Sequence, residues 1–196
     1  MRFLIVFLAL ALLPVLAFAS QATMQADQYL KSLSTMQARF SQVAADGTTR
    51  TGTFYLDRPG KLRFEYDPPV KDFIVADGVF IYFYDAKLKQ QTNAPIGETL
   101  ADFLLRKNIG LGGDVTVVSE DELNGYREIT IVQKDSPENG TLTLGFTQAP
   151  FQIAYWRVVD ATGATTNVTL SDIQTGIDFK SGLFAYHDPN PSGYNR

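Results

Sequence analysis

The chain has 196 residues, with 14 Phe, 9 Tyr, no cysteine and a formal net charge of −4. That length builds one domain with a real core. The missing cysteine excludes a disulfide framework, a thiol nucleophile and a thiolate metal site. The mildly acidic balance argues against nonspecific binding to nucleic acid or to an anionic membrane face.

Residues 1–19 begin with Arg2, run almost wholly apolar from Phe3 to Ala17 and end on the small-x-small pattern Ala17-Phe18-Ala19. They read as a secretory signal peptide cut after Ala19. Residues 20–196 then form a single exported domain, with no cysteine to carry a lipid and no later apolar run long enough to span a bilayer. An exported, cysteine-free domain points to a bacterial envelope.

Met24 to Leu33 has a helical stripe of Ala26, Tyr29, Leu30 and Leu33. From Met36 to Val43 the period switches to two: Met36, Ala38 and Phe40 share one face, opposite Gln37, Arg39 and Ser41. Asp46-Gly47 turns the chain into a second strand, Arg50 to Leu56. The stretch Gly52 to Asp85 is the most aromatic part of the chain, broken by turns at Arg58-Pro59, Asp67-Pro68-Pro69 and Asp77-Gly78. From Lys61, Leu62, Phe64 and Tyr66 point one way and Lys61, Arg63 and Glu65 the other. Val79 to Tyr84 is apolar on both faces, so both need cover. Lys87 to Thr92 reads as strand six, Asn93 to Gly97 as loop and Thr99 to Asn108 as a helix, with Thr99 and Asp102 as a capping box. Gly110, Gly112 and Gly113 end it. Strands follow at Val115 to Glu120, Tyr126 to Gln133, Thr141 to Phe146, Ile153 to Asp160 and Thr165 to Asp172, with turns at Asn124-Gly125, Asn139-Gly140 and Thr162-Gly163. Ile173 to Phe184 is irregular, with a helical turn near Asp178 to Gly182, and the tail from Tyr186 is loosely held.

About eleven short strands with tight turns make a mainly β (α+β) fold, an antiparallel barrel or strongly curved sheet. The two helices need somewhere to bury their apolar stripes, and the concave face provides it. A catalytic reading finds no support. The single histidine, His187, lies in the tail, no metal-ligand or G-x-S-x-G spacing exists, and the acidic residues sit in turns and on outer faces. No metal and no cofactor are expected. Spacing alone leaves two possibilities open: the helices plug a filled core, or they cover a cavity with room for an apolar ligand.

Several motifs then occur in a fixed order. Phe40-Ser41-Gln42 follows the N-terminal helix. Gly52-Thr53-Phe54-Tyr55-Leu56-Asp57-Arg58-Pro59 is a strand and turn of the form G-x-Φ-Φ-Φ-x-R-P, where Φ is apolar. Leu62 to Pro69 continues it, and Val75-Ala76-Asp77-Gly78 with Ile81 to Asp85 and Gln90 forms an aromatic hairpin. This series resembles the periplasmic outer-membrane lipoprotein carrier family, the LolA type. Similarity is densest from about Phe40 to Gln90, and the element order fits all of residues 20–196.

The resemblance implies an open, incomplete β-barrel with an α-helical lid over an apolar cavity. It implies a soluble, monomeric chaperone in the periplasm of a Gram-negative cell. Such a carrier takes the acyl chains of lipoproteins from an inner-membrane lipoprotein-releasing ABC transporter to an outer-membrane receptor lipoprotein. It also implies that Arg58 latches the lid through backbone carbonyls. The cavity and its mouth are expected to use Phe40, Phe54, Leu56, Leu62, Phe64, Tyr66, Phe83, Leu100, Phe103, Leu104 and Trp156. Leu62 stands where the family commonly has an aromatic residue, and Phe64 where it commonly has Trp. Two other readings fit the same fold: a carrier of another amphiphile, such as a glycolipid, and a periplasmic lipid-sensing regulatory module.

Overall fold

The computed structural model describes residues 20–97 and 100–189, without the side chains of 100–102. The segment read as a signal peptide, Thr99 of the capping box and residues 190–196 lie outside that range. Among the described residues the elements are one α-helix, α1 (Gln21–Ser32), eleven strands and two short 3-10 helices. The first six are β1 (Thr35–Val43), β2 (Thr49–Asp57), β3 (Lys61–Tyr66), β4 (Phe73–Asp77), β5 (Phe80–Asp85) and β6 (Gln90–Pro95). After a 3-10 helix (Leu100–Leu105) come β7 (Val115–Leu123), β8 (Tyr126–Gln133), β9 (Gly140–Gln148), β10 (Phe151–Asp160) and β11 (Thr165–Thr175).

All eleven strands form one antiparallel sheet, in the order β6-β5-β4-β3-β2-β1-β11-β10-β9-β8-β7. Strands adjacent in sequence are adjacent in space, except that β6 and β7 lie at opposite edges while β1 pairs with β11. The sheet curls but does not close, so those two edges remain. Register shifts in β1, β7 and β10 supply local bends. The alternating burial on β1 and β3 puts Met36, Ala38, Phe40, Leu62, Phe64 and Tyr66 on the concave side. Core members such as Phe54, Phe146 and Ile153 are almost completely removed from water. Burying each such side chain contributes roughly 2 kcal/mol.

The chain must travel from β6 at one edge to β7 at the other, and this connection crosses the mouth of the curl. It is shorter in helix than expected. The predicted helix Thr99 to Asn108 is only a six-residue 3-10 stretch, Leu100–Leu105. Its last carbonyls are taken from outside: Gly60 N–H donates to Leu105 O at 2.8 Å, and Arg58 donates to Arg106 O at 2.9 Å. Carbonyls committed to another part of the chain cannot propagate a helix. The predicted sixth strand, Lys87 to Thr92, lies three residues further on. Asp85 Oδ1 accepts from Leu88 N–H at 2.8 Å and Lys89 adopts φ 54°, so 86–89 is a side-chain-stabilised turn. Pro95 then falls on an edge strand, where its missing N–H costs nothing.

The C-terminal segment is better anchored than its composition implies. Tyr186 stacks on Tyr82 at 4.5 Å, and Phe179 meets Tyr55 and Phe184 edge-on. No helical turn forms near Asp178 to Gly182, where hydrogen-bonded turns run through 180–185 instead. This segment covers the outer face of the β5 run. On the inner face Phe83 stays 43% exposed, so that face is only partly covered.

Among the described residues five carboxylates, Asp27, Asp46, Asp67, Asp77 and Asp160, lie below the ordinary value of 3.8. Hydrogen bonds from Arg39 and Thr51 lower Asp67. For Asp27 and Asp77 burial pushes upward but is outweighed, by Lys31 and Leu111 N–H at Asp27 and by the Phe80 and Val79 N–H groups at Asp77. A depressed carboxylate stabilises the fold above its unfolded value, and that contribution disappears as pH falls through the folded value. The urea midpoint is therefore expected to drop between about pH 5 and pH 3. Asp67→Asn should make the drop shallower, and an unchanged slope would remove Asp67 from the account.

Candidate functional site

Helix α1 lies across the open side of the curl. Its stripe of Ala26, Leu30 and Leu33 is buried, while Tyr29 packs edge-on against Phe146 at 5.8 Å and Phe151 at 6.2 Å. Ser20 caps the helix by accepting from Thr23 N–H at 3.2 Å. The Ser20 and Thr23 hydroxyls both donate to Glu120 on β7, a carboxylate well placed at a helix N-terminus. Midway along α1, Asp27 Oδ1 accepts from Leu111 N–H at 2.9 Å, which ties the helix to the crossing segment.

Arg58 stands at the other end of α1, in the turn after β2. Its Nη1 donates to Leu30 O and Leu33 O, both at 2.7 Å, and its Nη2 donates to Arg106 O at 2.9 Å. The first two acceptors are C-terminal carbonyls of α1, where the helix dipole favours a cation. The third belongs to the crossing segment. One guanidinium therefore joins the β2–β3 turn to both pieces of the cover. Burial pushes its pKa below the usual arginine value, a cost that these carbonyls offset.

Beneath the cover lies a cavity of about 260 Å³. Phe54, Leu62, Phe64, Ile74 and Phe83 form one wall, from β2 to β5. Leu142, Leu144, Trp156, Val158 and Val168 form the other, from β9 to β11, and Leu104 of the crossing segment caps it. Phe54 sits between Phe64 at 4.8 Å and Trp156 at 5.4 Å, so the aromatic rings hold one another in place. Two polar side chains, Gln42 and Thr166, also line it.

Of the residues singled out from sequence, Phe54, Leu62, Phe64, Phe83, Leu104 and Trp156 are on the cavity wall. Phe40, Leu56, Tyr66 and Phe103 are not on that wall but in the packed core beside it. Phe40 packs on Phe64 at 5.0 Å, and the Tyr66 hydroxyl donates to Gln42 Oε1 at 2.8 Å. The Leu100 side chain lies outside the described residues. The sequence reading missed Ile74, Leu142, Leu144, Val158 and Val168, ordinary alternating strand residues without a distinguishing signal, and also Gln42 and Thr166. Among the described residues four other clefts are larger, and the two most voluminous of them, of about 680 and 670 Å³, lie beside α1 and under the C-terminal segment. Their walls mix apolar residues with charged ones, Asp27, Lys31 and Lys107 in one and Asp57, Lys61 and Asp77 in the other, whereas the cavity under the cover carries no charged side chain. Among the described residues no group of His, Cys, Asp or Glu is arranged to hold a metal ion.

The family model described as outer membrane lipoprotein carrier protein LolA matches residues 31–187. The outer-membrane lipoprotein carrier protein of Methylococcus capsulatus is 32% identical over 194 residues, covering 92% of this chain and 93% of that protein. The carrier protein of Dechloromonas aromatica is 30% identical over 189 residues, covering 91% and 89%. Among solved structures, an uncharacterized conserved protein from Thermus thermophilus superposes with a TM-score of 0.51, over 87% of this chain and 96% of that one. At 14% identity this likeness concerns the fold alone. The curled sheet, its crossing segment and the Arg58 turn all fall within the matched span, and the chain belongs to the outer membrane lipoprotein carrier protein LolA family.

Proposed function

We propose that this protein carries lipoproteins across the periplasm. It would receive their acyl chains from a lipoprotein-releasing ABC transporter in the inner membrane and deliver them to a receptor lipoprotein in the outer membrane. Family membership supports the general role of a periplasmic lipoprotein or lipid carrier. The observation that carries the finer reading is the apolar cavity under a cover whose two pieces Arg58 joins to the β2–β3 turn. Each methylene hidden from water is worth roughly 0.8 kcal/mol, so bare acyl chains need such a shelter to travel through water.

At about 260 Å³ the cavity is below the span of roughly 300–1,000 Å³ usual for ligand pockets. In this reading the described form is the empty one, and loading moves α1 and the crossing segment away from the sheet. That movement breaks the Arg58 hydrogen bonds. Re-forming them on release favours the empty state and drives hand-off without a separate energy source. In this reading Arg58 is the latch and Phe54, Phe64, Phe83 and Trp156 are the acyl-chain wall.

Mass spectrometry of the material that co-purifies from a periplasmic extract tests the proposal. Acylated lipoprotein is the expected companion. Recovery of free glycolipid or phospholipid alone would replace the lipoprotein cargo with another amphiphile. Recovery of a membrane regulator on an otherwise empty protein would favour the sensing module.

A further inference from the structure

The apolar face of β1 is interrupted once. Met36, Ala38 and Phe40 are buried at alternate positions, and the next residue on that face is Gln42. It sits opposite Arg50 on β2 and Val168 on β11. Its side chain reaches the cavity, as does that of Thr166 on the neighbouring strand β11. These are the two polar side chains in an otherwise apolar lining.

The direction of the Gln42 amide is set by Tyr66. The Tyr66 hydroxyl donates to Gln42 Oε1 at 2.8 Å, so the carbonyl side of the amide is occupied. The Nε2 group is left with its two N–H donors beside the cavity. Gln42 is only half-buried, so these donors are open to solvent in the empty protein, and a ligand that covers them must bring an acceptor. Hydrocarbon cannot supply one. The carbonyl of an ester or amide can.

The position along the sheet agrees with this. Thr35, at the start of β1, pairs with Asp57, next to the latch residue Arg58. Gln42 is seven residues further along, about 23 Å away at ~3.3 Å per residue. The polar spot therefore lies at the end of the sheet away from the latch. An acyl chain with its carbonyl at Gln42 would run its methyl end toward α1.

We propose that Gln42, oriented by Tyr66, together with Thr166 forms a carbonyl-binding end of the cavity that selects ester- or amide-linked acyl chains over bare hydrocarbon chains. This rests on the acyl-carrier reading and adds the chemical group recognised and the direction in which the chain lies. The same carbonyl chemistry is found in lipoproteins and in phospholipids.

The sole tryptophan, Trp156, lines the cavity and reports occupancy by its fluorescence. Wild-type protein is titrated with four probes: a synthetic dipalmitoylglyceryl-cysteinyl peptide, its dialkyl ether analogue, dipalmitoyl phosphatidylglycerol and the ether form of that phospholipid. The ester form of a probe should bind about five-fold more tightly than its ether form, the size of one net hydrogen bond. Gln42→Leu should abolish that ratio, and Thr166→Val should reduce it. A ratio seen only with the peptide pair assigns the site to lipoproteins, and a ratio seen with both pairs assigns it to diacyl lipids in general. Equal binding of ester and ether by the wild type overturns the inference, as does a ratio that survives in Gln42→Leu. If none of the four probes binds, the carrier reading itself fails and this inference fails with it.

Discussion

Arg58→Leu is expected to load normally and to hold its cargo. The latch makes three charge-assisted bonds to backbone carbonyls, two at 2.7 Å and one at 2.9 Å. Such a bond contributes roughly 1.5 kcal/mol or more. In the proposed cycle these bonds exist only in the shut, empty form, so removing them penalises that form and leaves the loaded form untouched. Allowing for water taking up some of the freed carbonyls, a net loss of about 3 kcal/mol slows release on the order of 100-fold. Arg58→Lys should fall between, because one ammonium cannot serve both the end of α1 and Arg106 O with the geometry of a planar fork. The measurement is the rate at which a bound lipopeptide passes to vesicles bearing the receptor. Release by Arg58→Leu at the wild-type rate would rule out a latch and leave Arg58 as a structural turn residue.

Gly52→Val is expected to damage the fold severely. A Cβ at position 52 would lie 2.1 Å from Glu65 O on β3 and 2.6 Å from Phe40 Cε1. Main chain on one side and a packed ring on the other leave it no room. The ring cannot withdraw, because Phe40 is wedged against Phe64 and Tyr66 at 5.0 and 5.4 Å. A loss of about 3 kcal/mol or more is expected, lowering the melting temperature by roughly 10 °C. Gly112→Ala is the matched control. Nothing lies within 4 Å of a Cβ there, and its effect should stay within about 0.5 kcal/mol. Thermal and urea unfolding of the two variants check the pair. Equal stability of Gly52→Val and the wild type would mean that β2 and β3 are not packed as described.

The sheet was largely legible because its strands bury one face. Period-two alternation from Met36 to Phe40 and from Leu62 to Tyr66 follows directly from that burial. Asn124 and Gly125, with φ of 52° and 82°, make the tight hairpin turn that their sequence announces, and β8 runs over the expected Tyr126–Gln133. Strand six was misplaced because the side chain of Asp85, not any periodicity, sets where its turn ends.

The half of the cavity wall on β9 to β11 was not legible, because Leu142, Leu144, Val158 and Val168 look the same in sequence whether they pack a core or face a cavity. In sequence Gln42 stands out only as the end of Phe40-Ser41-Gln42. A polar residue in an apolar phase reads as irregularity until Tyr66 is seen to hold it. The Pro and Asn content of the tail predicts a loose segment, while Tyr186 is fixed by a stacking partner more than a hundred residues earlier in the chain.

By itself the sequence determined the strand count, the absence of thiol chemistry and the turn at Arg58. These depend on local alternation, composition and turn chemistry, which neighbouring residues settle among themselves. Only the tertiary structure decided that the sheet stays open between β6 and β7 and that the crossing segment is a short 3-10 turn. It also decided that Arg58 faces carbonyls from two separate elements and that a cavity remains beneath them. Each of these depends on groups brought together from distant parts of the chain, such as Arg58 and Arg106 O, 48 residues apart. No local pattern encodes where such a carbonyl will find its donor.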